Sequence, residues 1–303
     1  MDREGWSVSA VIPSYNRAEL LGRAVASALA QTVSLREILI VDDGSTDETE
    51  SIVAARFSAS PSVKLICLPM RGGACAARNV GILAATGTHV AFLDSDDEWF
   101  PTKIEAQLAS LGQRPSAIAC FTGVRLKVGA GGKTVLLPPQ DFRKEALSYD
   151  NVLGSTSTAL VAREPLIAAG LFDTSMVSCQ DWDLYRRLAE FGAFTTLCEP
   201  LILFDDGDHA RISRNFAAVI EGHHEMARRI QIGHADPRET EALRLHHGFK
   251  AADLMAQVGH DPAGALRQGL ALAISRPRPG TAWRLVKLLY RMAAKSWRDR
   301  IAD

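Results

Sequence analysis

Apolar residues in the first hundred positions alternate between two rhythms. Short runs apolar at nearly every position (Val8 to Ile12, Glu37 to Val41, Val63 to Leu68, His89 to Leu93) have the pattern of strands covered on both faces. Between them, Leu20, Leu21, Ala24, Val25, Ala28 and Leu29 recur at helical spacing, Ile52 and Val53 mark a second helix, and small residues from Ala74 to Ala85 a third. Local signals suggest the helix ends. Asn16 with Glu19 resembles a capping box, Ser45-Thr-Asp-Glu48 is a full one, and Gly87 sits where a C′ glycine would stop a helix. Four strand-helix alternations predict an α/β fold with a mainly parallel twisted sheet flanked by helices. Ligands bind such sheets beyond the carboxyl ends of the strands, where Asp42-Asp43 and Asp94 to Asp97 both fall. The two acidic clusters should therefore meet at one crevice.

Farther along, Pro101 opens a helix to Leu111, and Ala117 to Phe121 reads as a fifth strand. Gly129 to Gly132 reads as a hairpin turn, and Ser155 to Val161 as a further strand before a helix ended by Gly170. A helix from Gln180-Asp181 to Leu188 and short strands near Phe194 to Leu197 and Leu201 to Phe204 follow. Beyond Asp208 only helical patterns remain, at 216–232, 238–258, 262–274 and 281–301. The expected organisation is one catalytic domain at 1–215 and then a helical region at 216–303.

A hydrophobic content of 47% against 23% charged residues is that of a globular chain with ample core. The net charge of −1 gives no reason to expect nucleic acid as a partner. Residues 276–303 nevertheless carry eight Lys/Arg against two Asp/Glu, which leaves −7 for the rest. Five scattered cysteines without a C-x-x-C pair read as reduced, mostly buried thiols. Seven of the eight histidines follow residue 208 and read as surface residues, because neighbours in sequence do not face one another on a helix. The acidic start lacks a signal peptide's basic and apolar parts, and no segment is apolar enough to span a membrane. A cytoplasmic protein is the expectation.

Asp94-Ser-Asp96 places two hard oxygen ligands beside a strand end, a spacing suited to one Mg²⁺ or Mn²⁺ that would neutralise a diphosphate. An acidic turn that caps the next helix would look the same. Asp42 or Asp43 could accept a hydrogen bond from a ribose or base, or serve a turn in which Gly44 takes positive φ. Arg78, in its small-residue helix, could pair with phosphate or bridge a structural carboxylate. Asp181, at a helix start, could be a general base or a plain cap, and Asp183 lies on a different face.

In order, Val11-Ile-Pro-Ser-Tyr-Asn-Arg17, Ile40-Val-Asp-Asp-Gly-Ser-Thr-Asp47, Ala77-Arg-Asn-Val-Gly81 with Ala85-Thr-Gly87, Phe92-Leu-Asp-Ser-Asp-Asp97 and Gln180-Asp-Trp-Asp183 resemble glycosyltransferase family 2. The resemblance covers about residues 7–215 and implies a GT-A fold, with a nucleotide-binding half at about 1–115 and an acceptor half at about 116–215, and an inverting transferase that uses a nucleotide-diphosphate sugar, with UDP as the nucleotide and Mn²⁺ or Mg²⁺ as cofactor. It implies that Pro13 and Tyr15 line the nucleobase pocket, Asp43 contacts the base and Asp42 supports its loop. Arg78 would meet the donor, Asp94 would lie near ribose or metal, Asp96 would ligate the metal, and Asp181 would be the catalytic base. Gln180 stands where the family more often has Glu, and Asp208 to Arg214 reads either as a plain surface loop or, by a weaker resemblance, as a loop that closes over the donor with Arg211 or His209 near the diphosphate or metal.

The implied acceptor is a glycan or lipid-linked hydroxyl in polysaccharide or glycoconjugate biosynthesis. In 281–301, Trp283, Val286, Tyr290, Ala293 and Trp297 can form an apolar stripe beside a stripe of Arg284, Lys287, Arg291, Lys295 and Arg298. That helix suits either contact with an anionic membrane surface, as a peripheral protein, or packing on the domain or a partner chain. Two rival readings are a sugar nucleotidyltransferase, whose glycine-rich signature is replaced here by Pro13 to Arg17, and a noncatalytic protein that keeps the fold.

Overall fold

Strands Val8–Ser14 (β1) and Glu37–Asp42 (β2) are buried at every position. A strand with no polar face needs neighbours on both edges and cover on both sides. The computed structural model describes residues 5–128, 132–205, 215–232, 236–257, 261–275 and 279–302 and provides both. Helix Ala18–Leu29 (α1) follows β1, and Thr49–Phe57 (α2), Val63–Cys67 (β3), Ala74–Ala84 (α3) and His89–Phe92 (β4) follow β2. Then come Asp97–Trp99 (β5), Lys103–Gln113 (α4), Ala117–Val128 (β6), Gly132–Leu136 (β7) and Ala159–Ala162 (β8). Arg163–Ala168 (α5), Gln180–Leu188 (α6) and Ala193–Asp205 (β9) complete the α/β part.

These strands form one sheet in the order β3-β2-β1-β4-β8-β6-β9-β5, with β7 paired to β6 as a hairpin. Strands β3, β2, β1 and β4 run parallel, β8 opposes both β4 and β6, and β5 opposes β9. Two strands expected near 194–197 and 201–204 are one, because the register shifts beside Thr122 and Gly123 let β9 follow β6 without a break. The strand expected from Ser155 begins instead at Ala159, after a 3-10 turn at Thr156–Thr158. β5 has no counterpart among the expected strands.

Gly87 does not act as a C′ glycine. The helix ends at Ala85 in extended backbone (ψ 137°), whereas a Cβ on Gly87 would lie 2.8 Å from the Ser9 nitrogen. A Cβ on Gly81 would lie 2.4 Å from Val11 Cγ1, so α3 packs directly onto β1. At the edge of the sheet opposite the loops described below, Glu37 takes bonds from Ser9 Oγ (2.8 Å), Thr86 N (2.7 Å) and Lys64 Nζ (2.8 Å). Burial raises its pKa, but these donors outweigh it and hold the carboxyl at about 2. One buried charge thus joins β1, β2, β3 and the α3–β4 turn.

The chain divides into two compact units, Met1–Thr174 with Asp181–Asp208, and Ser175–Gln180 with His209–Asp303. In the second, helices Phe216–Ile232 (α7), Pro237–Gln257 (α8), Pro262–Ser275 (α9) and Pro279–Ala302 (α10) bury Ala252, Ala256, Ala265 and Leu288 in one cluster and Leu245, Phe249 and Leu272 in another. Leu285 and Met292 pack against this core, whereas Trp283 and Val286 are exposed beside Arg284, Lys287 and Arg291. The side chains of Tyr290, Ala293, Lys295, Trp297 and Arg298 lie outside the described residues, as do the turn at 129–131 and the loop at 206–214. Among the described residues, no helix is long and apolar enough to cross a membrane. Two of the expected surface or buried assignments change. His247 is buried, on the face of α8 that carries Leu243. The five cysteines are free, but only Cys75 and Cys120 are buried, while Cys67 and Cys198 are exposed.

Lys103 is fully buried, donating from Nζ to Gln107 Oε1 (2.8 Å) with its ammonium 4.5 Å from the Trp99 ring centre. Burial pushes its ammonium down to about 7, against about 10.4 in an unfolded chain. The destabilisation from this charge is therefore complete below about pH 7 and vanishes as pH rises toward about 10.4. The stability of Lys103→Met relative to wild type should consequently fall by on the order of 1 kcal/mol per pH unit across that window, as read from urea denaturation at several pH values. A pH-independent difference would refute the assignment.

Candidate active site

The chain travels outward from β1 through β2 to β3 and then returns to place β4 on the other side of β1. This switch point opens a crevice at the carboxyl ends of the strands. Ser14 pairs with Asp42 and Val11 with Phe92, so the loops after β1, β2 and β4 leave the sheet at one edge. The two acidic clusters flank β1 there, about 10 Å apart by strand spacing.

Polar groups brace the first two loops. Asn16, at φ +49°, donates its N–H to Ser45 Oγ (2.8 Å) and accepts the Thr46 N–H on Oδ1 (2.8 Å). Ser45 in turn donates its N–H and hydroxyl to Asp42. Neither expected capping box forms. Asp47 accepts from Ala18 N (3.2 Å) and Thr49 N (3.1 Å), so one carboxylate caps both α1 and α2, and Ser45 is free to serve the loop. The oxygens of Asp43 accept the N–H groups of Gly72 (2.7 Å) and Gly73 (2.8 Å), tying the end of β2 to the start of α3. Gly44, at φ +76°, supplies the turn between these carboxylates. Pro13 is buried, and half-buried Tyr15 lies under the Arg71 guanidinium, 4.2 Å from its ring centre.

The third loop carries Asp94 to Asp97. Asp94 Oδ1 accepts from Arg78 Nη2 (2.6 Å) and Thr156 Oγ1 (3.1 Å), and its N–H donates to Ser157 Oγ (3.0 Å). Arg78 is buried and lies 5.5 Å from the Phe172 ring centre. Asp96, 7% exposed, is paired with Arg17 Nη1 at 2.7 Å. Asp97 is buried and accepts from Ser157 Oγ (2.7 Å) as the chain enters β5.

Asp181 opens the first turn of α6, accepting the Trp182 N–H (2.8 Å) on one oxygen and Asn151 Nδ2 (3.0 Å) on the other. Burial pushes its carboxyl up to about 6; the Trp182 N–H and Arg78 draw it down, and Asp94 adds to the rise. Asp181, Arg78 and Asp94 therefore share one electrostatic environment. Asp183, by contrast, is buried against Arg187 one turn along the helix (2.7 Å). Gln180 donates to the Met176 carbonyl (3.1 Å). His209 and Arg211 lie outside the described residues.

Asn151, Thr156 and Ser157 escape sequence reasoning, being polar residues in an irregular stretch about 60 positions from Asp94. Pairing of β8 with β4 brings them in. Among the described residues no cluster of three or more acidic, histidine or cysteine side chains exists to hold a metal unaided. Two carboxylates in the same turn fit a hard cation of the kind that takes its remaining ligands from substrate phosphates and water.

The sequence profile described as glycosyl transferase family 2 matches residues 9–168. TuaG of Bacillus subtilis (strain 168), provisionally named a teichuronic acid biosynthesis glycosyltransferase, is 36% identical over 163 residues, which are 52% of this chain and 62% of that protein. Staphylococcus aureus TarS 1–349, solved in complex with UDP, superposes with a TM-score of 0.62 at 17% identity, over 98% of this chain and 92% of that one. The mannosyltransferase PcManGT from Pyrobaculum calidifontis, solved with GDP-Man and Mn²⁺, superposes at 0.60 and 21% identity, over 96% and 87%. The chain belongs to glycosyl transferase family 2 and has the GT-A fold.

Because Asp43 holds two backbone donors, Asp43→Ala should lower stability by about 1–3 kcal/mol, and Asp43→Asn, which keeps an acceptor, by less. Equal melting temperatures for all three proteins would refute this role.

Proposed function

We propose that this family member is an inverting glycosyltransferase that moves a sugar from a nucleotide-diphosphate donor, with UDP as the nucleotide, to an acceptor hydroxyl of a glycan or lipid-linked molecule in polysaccharide or glycoconjugate biosynthesis. The observation that carries the reading is Asp181, a carboxyl raised to about 6 in the same electrostatic environment as Asp94 and Arg78. UDP bound to TarS, and GDP-Man with Mn²⁺ bound to PcManGT, support a donor of this class.

In this reading Tyr15 and Pro13 form the wall against which the base lies. Asp43 and Asp42 hold the loop that meets base and ribose. Asp96, with Asp94 beside it, would hold Mn²⁺ or Mg²⁺, whose charge supports departure of the nucleotide diphosphate. Arg78 holds Asp94 in place through the pair at 2.6 Å. Asp181 removes the proton from the acceptor hydroxyl, which attacks the anomeric carbon from the face opposite the leaving group. An α-linked donor then yields a β product.

The raised carboxyl of Asp181 near the paired Asp94 favours catalysis over a noncatalytic protein that keeps the fold. A nucleotidyltransferase would form activated sugar from sugar phosphate and nucleoside triphosphate, which a product assay separates directly. Outward-facing Trp283 and Val286, among Arg284, Lys287 and Arg291, support peripheral contact with an anionic membrane face, where a lipid-linked acceptor would be met.

Asp181→Asn should reduce transfer by at least about a thousandfold while UDP binding stays within about twofold, as measured by turnover and calorimetry. Wild-type kcat/KM should fall about tenfold per unit as pH drops below about 6, because the base is lost on protonation. Normal turnover in the variant, or a flat acid limb, would remove Asp181 from the mechanism. For the membrane contact, Trp283→Glu with Val286→Glu in the full chain should abolish co-flotation with anionic vesicles. Undiminished flotation would exclude this face.

A further inference from the structure

The two acidic residues of the β4–β5 turn are neutralised by arginines of different kinds. Arg78, on Asp94, is embedded in α3, 9% exposed, against the Phe172 ring. Arg17, on Asp96, stands in the loop between β1 and α1 and is 21% exposed. Its loop is braced through Asn16 to Ser45 and Thr46, so the base of Arg17 is fixed while its long side chain extends to Asp96 in the β4–β5 turn. A carboxylate as enclosed as Asp96 would be strongly unfavourable without a compensating charge, and Arg17 supplies one.

A divalent cation on Asp96 changes that balance. A guanidinium on one oxygen of Asp96 weakens its attraction for a dication, because like charges repel strongly in a partly desolvated site. A cation arriving alone therefore meets the repulsion of the guanidinium held 2.7 Å from Asp96. A cation arriving with a diphosphate meets no such penalty, because phosphate oxygens accept a guanidinium in bidentate fashion.

We propose that Arg17 is an exchange partner, bound to Asp96 in the empty protein and to the donor diphosphate once cation and nucleotide are both present. The exchange makes cation and nucleotide binding mutually dependent: each raises the affinity for the other by the same factor. It keeps the crevice from filling with cation alone and reserves Asp96 for the cation that accompanies a donor. This role rests on the reading of Asp96 as the cation ligand.

The test measures Mn²⁺ binding to the full chain by the loss of the free-ion electron paramagnetic resonance signal, with and without UDP, corrected for Mn²⁺–UDP complexes in solution. In wild type Mn²⁺ alone should bind weakly and UDP should strengthen it at least about tenfold. In Arg17→Ala, Mn²⁺ alone should bind about tenfold more tightly and the strengthening by UDP should shrink by a similar factor. Arg17→Lys keeps a competing cation and should leave binding of Mn²⁺ alone near the wild-type value, which separates a charge effect from a folding defect; thermal melts check that each variant is folded. Equal affinity for Mn²⁺ alone in wild type and folded Arg17→Ala, with the UDP effect intact, would overturn the exchange. Unchanged Mn²⁺ binding in Asp96→Ala would instead remove Asp96 as ligand, and the exchange with it.

Discussion

The burial of β1 on both faces and both edges is the constraint from which the rest of the molecule follows. A strand flanked by parallel β2 and β4 and covered by α3 has its backbone groups committed to its neighbours and admits a polar side chain only near its ends, as with Ser9 on Glu37. Val11 against Gly81 shows how closely the cover lies. Polar chemistry can appear only where the strands end, and because the chain reverses its course across β1, three loops end side by side at one edge.

That edge concentrates negative charge. Asp42, Asp43, Asp47, Asp94, Asp96, Asp97 and Asp181 would repel one another if unpaired. The structure gives each its own donors: hydroxyl and amide for Asp42, backbone amides for Asp43 and Asp47, guanidinium for Asp94 and Asp96, hydroxyl for Asp97, and amides for Asp181. The donors are not equivalent. Amides and buried hydroxyls fix loops, whereas an arginine on a loop can be exchanged for another cation. Family and fold thus provide a frame, and the distribution of donors decides which carboxylate is architecture and which is available for chemistry.

Much of this was legible from the chain alone, because strand burial and helix amphipathicity are local properties. The alternation of Val8 to Ile12 with Leu20 to Leu29, and its repeats, lead directly to a parallel sheet, and the position of Asp42 and Asp94 after two apolar runs leads to a shared edge. Helix ends misled for a physical reason. The Ser45 and Asn16 signals are local, yet both side chains bond across the gap between two loops, and a single Asp47 caps both helices from there. Gly87 follows the same rule: its small size serves contact with Ser9, 78 residues away, not the end of its own helix.

What the sequence determined by itself was therefore the order of elements, the central apolar strands and the acidic residues at their ends, since each depends on residues close together in the chain. The tertiary structure alone decided which of those acids face one another and what neutralises them: Arg17 on Asp96, Arg78 and Thr156 on Asp94, Asn151 on Asp181. Such pairings join segments far apart in the sequence, and no local pattern encodes them, because they exist only once β1, β4 and β8 lie side by side.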